Sequence, residues 1–124
     1  MKTVLIPIAF QPAAGKVLHY IERVFKDQSI KAELLHVKTP SEKLTKEEVQ
    51  KSFEDFEHTY LEGTRLPYHF TQTEGNLLEQ IQKKIDELHP SLVAVGLTGN
   101  ALVKSLLKLV HCPVLMIPGA SDSP

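Results

Sequence analysis

At 124 residues, 42% hydrophobic and 23% charged, the chain has the size and composition of one ordinary globular domain, long enough to bury a core without disulfide or metal staples. A formal net charge of −1 leaves no electrostatic footprint for nucleic acid in the total, and the single cysteine, Cys112, rules out an internal disulfide and permits a reducing compartment. The apolar run that opens the chain is too short for a secretory signal or a membrane span and is interrupted by Pro7. A cytoplasmic protein with neither a nucleic-acid nor a membrane partner is the expectation.

Short apolar runs alternate with longer amphipathic ones. Val4 to Ile8 is apolar on both faces, as a buried parallel strand requires. Residues 12–26 carry Val17, Leu18, Ile21, Val24 and Phe25 at the spacing of one helical face. Ile30 to Val37 is a second strand. Thr45 followed by Glu48 forms a capping box for a second helix burying Val49, Phe53, Phe56 and Tyr60, with Gly63 as its stop.

Leu66, Tyr68 and Phe70 alternate with Pro67, His69 and Thr71, which predicts a half-exposed edge strand. Asn76 with Glu79 caps a third helix bearing Leu77, Leu78, Ile81, Ile85 and Leu88, and His89-Pro90 ends it. Leu92 to Leu97 is a fourth strand. A fourth helix over about 101–110 buries Leu102, Val103, Leu106, Leu107 and Val110, and Val114 to Ile117 is the last strand. The domain is expected to span 1–118, with 119–124 a loose tail.

This βαβαβαβαβ alternation predicts a five-stranded parallel sheet with helices on both faces. The flavodoxin-like strand order 3-2-1-4-5 puts the polar-alternating third strand at an edge. In such a sheet, ligands sit beyond the carboxyl ends of the strands where the connections diverge. Those loops are Ala9-Phe10-Gln11-Pro12 and Gly96-Leu97-Thr98-Gly99-Asn100, flanked by Val37 and Lys38. The Gly-x-x-Gly spacing fits two readings. Gly96 and Gly99 can make a tight turn with Thr98 or Asn100 capping the next helix. Alternatively, the turn brings free backbone N–H groups and a helix dipole to a phosphate.

Three stretches resemble the universal stress protein family. Leu5-Ile6-Pro7-Ile8 resembles its opening strand, Leu92 to Gly99 its fourth strand and glycine loop, and His111 to Ile117 its closing strand. The resemblance implies an adenine nucleotide α-hydrolase-like α/β fold, frequent dimers, and two classes, of which one binds ATP. In the ATP-binding class an acidic residue follows the first strand. Gly-x-x-Gly, nine residues and then Gly-Ser or Gly-Thr follow the fourth. This chain has Ala9 at the first place and Leu109-Val110 at the second.

Each missing charge-assisted contact costs about 1.5–3 kcal/mol. Two or three such losses move micromolar binding to millimolar. The resemblance carries over Pro7, Val37, Gly96 and Gly99 as pocket positions, and Ala9, Thr98 and Asn100 complete the candidate ligand-binding set. No cofactor is firmly implied, and the site for ATP is incomplete.

Other chemistry finds no constellation. His19, His36, His58, His69, His89 and His111 show no metal-site spacing and read as solvated or capping residues. Cys112, placed after a helix C-terminus, reads as a buried structural thiol rather than a reactive one. The acidic cluster of a receiver domain, the hydroxyl-rich phosphate loop of a flavodoxin, a G-x-S-x-G elbow and a Walker sequence have no counterpart.

The last strand, Val114, Leu115, Met116 and Ile117, is apolar on both faces at a sheet edge, which invites pairing with a second copy. The expected function is a non-catalytic regulatory or binding module, a homodimer in stress response that also engages protein partners. The alternative is an ATP- or AMP-binding protein using Gly96 to Asn100, with at most slow hydrolysis.

Overall fold

The computed structural model describes residues 2–8, 12–41, 43–96, 104–105, 108 and 112–117. The elements are β1 (Lys2–Pro7), α1 (Pro12–Val24), β2 (Ile30–Lys38), α2 (Lys46–Phe56), a single π-helical turn (Glu57–Leu61), β3 (Tyr68–Glu74), α3 (Leu77–Leu88), β4 (Leu92–Gly96) and β5 (Val114–Ile117). The strands form one five-stranded sheet in the order β3-β2-β1-β4-β5, with every described pair parallel. Lys104, Ser105 and Lys108 are helical; the five apolar residues expected to anchor the fourth helix lie outside the described residues, as do Leu97 and the 119–124 tail.

The period-2 alternation of the strands sorts their side chains to two cores. Val4, Ile6, Ala32, Leu34 and Ala94 pack on one face with Val17, Leu18 and Ile21 of α1 and Phe53 and Phe56 of α2. Leu5, Leu35, Val37, Val93 and Val95 pack on the other with Ile81 and Ile85 of α3. The helices therefore cover both faces. Each fully buried aliphatic side chain contributes about 1.5–3 kcal/mol. Phe53 stacks on Phe70 with ring centroids 3.9 Å apart, which locks α2 to the edge strand β3.

The helix termini follow the local sequence. The Thr45 hydroxyl accepts from the Glu48 N–H, and the Glu48 carboxylate accepts from the Thr45 N–H. The Asn76 side chain accepts from the Glu79 N–H. α3 closes on His89, which is left-handed at φ 48° and donates its N–H to Ile85 O. Gly63, at φ 90°, ends the segment after α2 as expected.

Two expectations of packing need correction. Val24 is 49% exposed rather than buried; it lies at the margin of the stripe centred on Ile21, in the last turn of α1, while Phe25 packs on the core from beyond the helix end. Tyr60 is half-buried, and Leu61 takes the interior position instead. A π turn holds one more residue than an α turn, so the inward phase after Phe56 falls five residues on, at Leu61.

Candidate functional site

The carboxyl ends of the strands gather three of the residues singled out in the sequence. Pro7 ends β1, level with Leu35. Val37 lies near the end of β2, level with Thr73 of β3. Gly96 ends β4, level with Ile117 of β5. The strand order makes β1 and β4 the pair from which the chain departs in opposite directions, so the crevice of an open α/β sheet falls there. Ala9, Thr98, Gly99 and Asn100 lie outside the described residues.

The approach to the first loop is pinned from β2. The Ile8 N–H donates to Leu35 O at 2.9 Å. The buried His36 meets Ile8 O through Nδ1 at 3.3 Å. A carbonyl only accepts, so Nδ1 carries the proton in this contact. His36 was expected to be solvated or capping; it is instead an interior group holding the end of β1. The signal for it is a polar residue at an inward-facing position of a largely buried strand.

Beside Val37, Thr73 Oγ1 is buried without a hydrogen-bond partner among the described residues. The Gly75 N–H closes this end of the β2–β3 pair by donating to Lys38 O. A cavity of about 180 Å³ opens there, lined by Lys38, Lys46, Val49, Gln72, Thr73 and Glu74. The Thr45 backbone N–H holds the Glu48 carboxyl at the neighbouring helix start below its usual range, helped by the Thr45 hydroxyl and the Lys38 charge.

The other histidines divide. His19 is exposed, His58 pairs with Glu62 one helical turn on at 2.9 Å, and His89 caps α3. His69 is exposed as expected and also holds the buried Glu33 carboxylate at 2.8 Å; His111 lies outside the described residues. Hydrogen bonding to the Glu62 carboxylate raises the His58 pKa, and its charge adds to the effect. Cys112 is half-buried rather than buried; burial pushes its thiol up, away from thiolate. Among the described residues, no group of three or more His, Cys, Asp or Glu could hold a metal ion. No helix among them is long and apolar enough to cross a membrane.

The strand order and the two packed faces define the class, an open parallel α/β sheet with helices on both sides. The model of the universal stress protein family matches residues 1–118. The chain belongs to that family. No curated protein matches the chain. Among solved structures, the hypothetical protein MJ0577, whose biochemical function was assigned from its structure, is similar with a TM-score of 0.77 and 21% identity over 98% of each chain. A universal stress protein family protein from Arabidopsis thaliana with AMP bound has a TM-score of 0.73 and 18% identity over 100% of this chain and 97% of its own. A universal stress protein from Archaeoglobus fulgidus in complex with dAMP has a TM-score of 0.75 and 10% identity over 94% of this chain and 98% of its own.

Proposed function

We propose that the protein is a non-catalytic regulatory module of its family whose crevice takes an adenine nucleoside monophosphate in preference to ATP. The observation that carries this reading is the convergence of Pro7, Val37 and Gly96 at the carboxyl ends of three adjacent strands. That is where an open parallel sheet binds ligands. Relatives of the same fold with AMP and dAMP bound support the ligand class. The departures at Ala9 and Leu109-Val110 remove polar groups that the ATP-binding class turns to ribose and phosphates. A ligand with one phosphate has fewer contacts to lose than one with three.

Isothermal titration with AMP, and with ATP and magnesium, tests this. Micromolar binding of AMP, with ATP no tighter, is the expected result. ATP bound tenfold tighter than AMP would mean that the loop still forms a full phosphate cradle. No heat from either nucleotide at millimolar concentration would favour the second reading, in which the module has lost its nucleotide and signals through protein partners alone. The same departures at Ala9 and Leu109-Val110 are the specific observation behind that second reading.

The working unit in both readings is a homodimer joined through β5. Val114, Leu115 and Met116 of this edge strand are not fully buried, and Met116 is 40% exposed. An apolar edge strand is a template for pairing with another chain.

A further inference from the structure

At the opposite, amino-terminal end of the sheet lies a second cavity, of about 170 Å³. It is framed by the end of α1 and the segments entering β2 and β3. Ile30 and Leu66 are buried, and with the half-buried Phe25 and with Pro67 they give it an apolar floor. Lys26 and Arg65, both exposed, stand at its rim from two different segments.

The one carboxylate in the lining, Glu22, is already engaged. Its Oε2 accepts from the Thr64 hydroxyl at 2.6 Å, and its Oε1 accepts from the Arg65 backbone N–H at 3.4 Å. The Arg65 guanidinium itself has no ion pair among the described residues. Arg23 in the last turn of α1 offsets the negative end of that helix dipole, so the rim stays cationic. An apolar floor with an arginine in its lining suits a ligand with a hydrocarbon body and a planar anionic head. The volume is below the range of drug-sized pockets and limits that body to about one ring or one branched chain.

We infer that this cavity is a binding site for a small organic carboxylate with a single aromatic or branched aliphatic body, separate from the nucleotide crevice and independent of it. Arg65 pairs with the carboxylate, and Phe25, Ile30 and Leu66 hold the body.

Benzoate is the probe, titrated into the isotope-labelled full chain and followed by amide chemical shifts, with benzyl alcohol as the neutral counterpart. For so small a ligand the expected dissociation constant is on the order of a millimolar. Saturable shifts should be confined to the amides around Phe25, Ile30 and Leu66. Benzyl alcohol should bind about tenfold more weakly, and Arg65→Gln should weaken benzoate by about tenfold. Arg65 is exposed, so the variant should keep the wild-type melting temperature, and AMP should leave the benzoate titration unchanged. No saturation at tens of millimolar would overturn the site. Equal binding of the alcohol, unchanged benzoate affinity in Arg65→Gln, or shifts centred elsewhere would overturn it as well.

Discussion

Glu33 on β2 and His69 on β3 form a pair of opposite exposure: the carboxylate is 3% exposed, the imidazole 64%, and Oε1 meets Nδ1 at 2.8 Å. Glu33 Oε1 also accepts the Thr71 hydroxyl at 2.9 Å. A carboxylate so removed from water is tolerated only while its hydrogen bonds are made. His69→Ala removes one donor and should destabilise the fold by about 1–3 kcal/mol in urea unfolding. Glu33→Leu combined with His69→Ala should recover much of that loss, because no charge is left buried. A double variant as unstable as the sum of the two single ones would show that the pair is not coupled.

The limits of sequence reading are visible in this pair. β1, β2 and β4 announce themselves as apolar runs, and the Thr45–Glu48 box marks the start of α2 because every participant lies within four residues. Their alternation with helical patterns leads to the 3-2-1-4-5 order. Glu33 and His36 interrupt a buried strand, but their partners lie 36 and 28 positions away in the sequence, beyond any local periodicity. The π turn defeats a helical count for a different reason: one extra residue per turn shifts the buried position from Tyr60 to Leu61. The carboxyl strand ends bearing Pro7, Val37 and Gly96 were legible from topology, while the Thr73 hydroxyl, without a partner among the described residues, depends on packing that no pattern encodes.

Tyr68 donates its hydroxyl to Glu57 Oε2 of the π turn at 2.5 Å. That hydrogen bond, with desolvation and the Glu57 charge behind it, pushes the Tyr68 pKa up to about 12. The ordinary value, about 10, describes the unfolded chain. Because the folded state holds the proton more tightly, the stabilisation is complete below pH 10 and is lost as pH rises from about 10 to about 12. Near-ultraviolet absorbance titration should therefore show one of the tyrosines ionising late. Tyr68→Phe should remove that late step and cost about 0.5–1.5 kcal/mol at neutral pH. A late step that survives in the variant would assign it to another tyrosine.

Gly15 in α1 lies directly against the Tyr60 ring; a Cβ placed there would stand 2.8 Å from Tyr60 Cγ and closer still to the ring edge. Those ring atoms are near the root of the side chain and cannot swing aside cheaply. Overpacking of this kind costs about 1–3 kcal/mol, against a gain of about 1 kcal/mol in helix propensity. Gly15→Ala should therefore lower the melting temperature. In a Tyr60→Ala background the same change should raise it, since only the propensity is left. A stabilising Gly15→Ala in the wild-type background would contradict the close approach of α1 to the π turn.

Thr73 Oγ1 is buried beside Val37 with no partner among the described residues. Leaving such a hydroxyl unsatisfied costs about 1–3 kcal/mol. Thr73→Val keeps the shape and removes the group, so the ligand-free protein should gain about 1 kcal/mol or more. If the hydroxyl meets the nucleotide, the variant should also bind AMP several-fold more weakly, and the stabilising effect of AMP on the melting temperature should shrink accordingly. A variant that is more stable and binds AMP as well as wild type would place the nucleotide away from β3.

The edge strand β5 makes a prediction about assembly. Light scattering on the wild type should give twice the chain mass of 13.9 kDa. Pairing of β5 with its copy about a two-fold axis brings the two Met116 side chains into one neighbourhood, because a symmetric interface uses the same patch twice. Met116→Glu then sets two like charges near each other across the paired strands, which destabilises the contact. At 40% exposure, Met116 contributes little to the monomer's own core, so the variant should fold and run at the chain mass. A wild type that is monomeric at high concentration, or a Met116→Glu protein that still dimerises, would remove β5 as the interface.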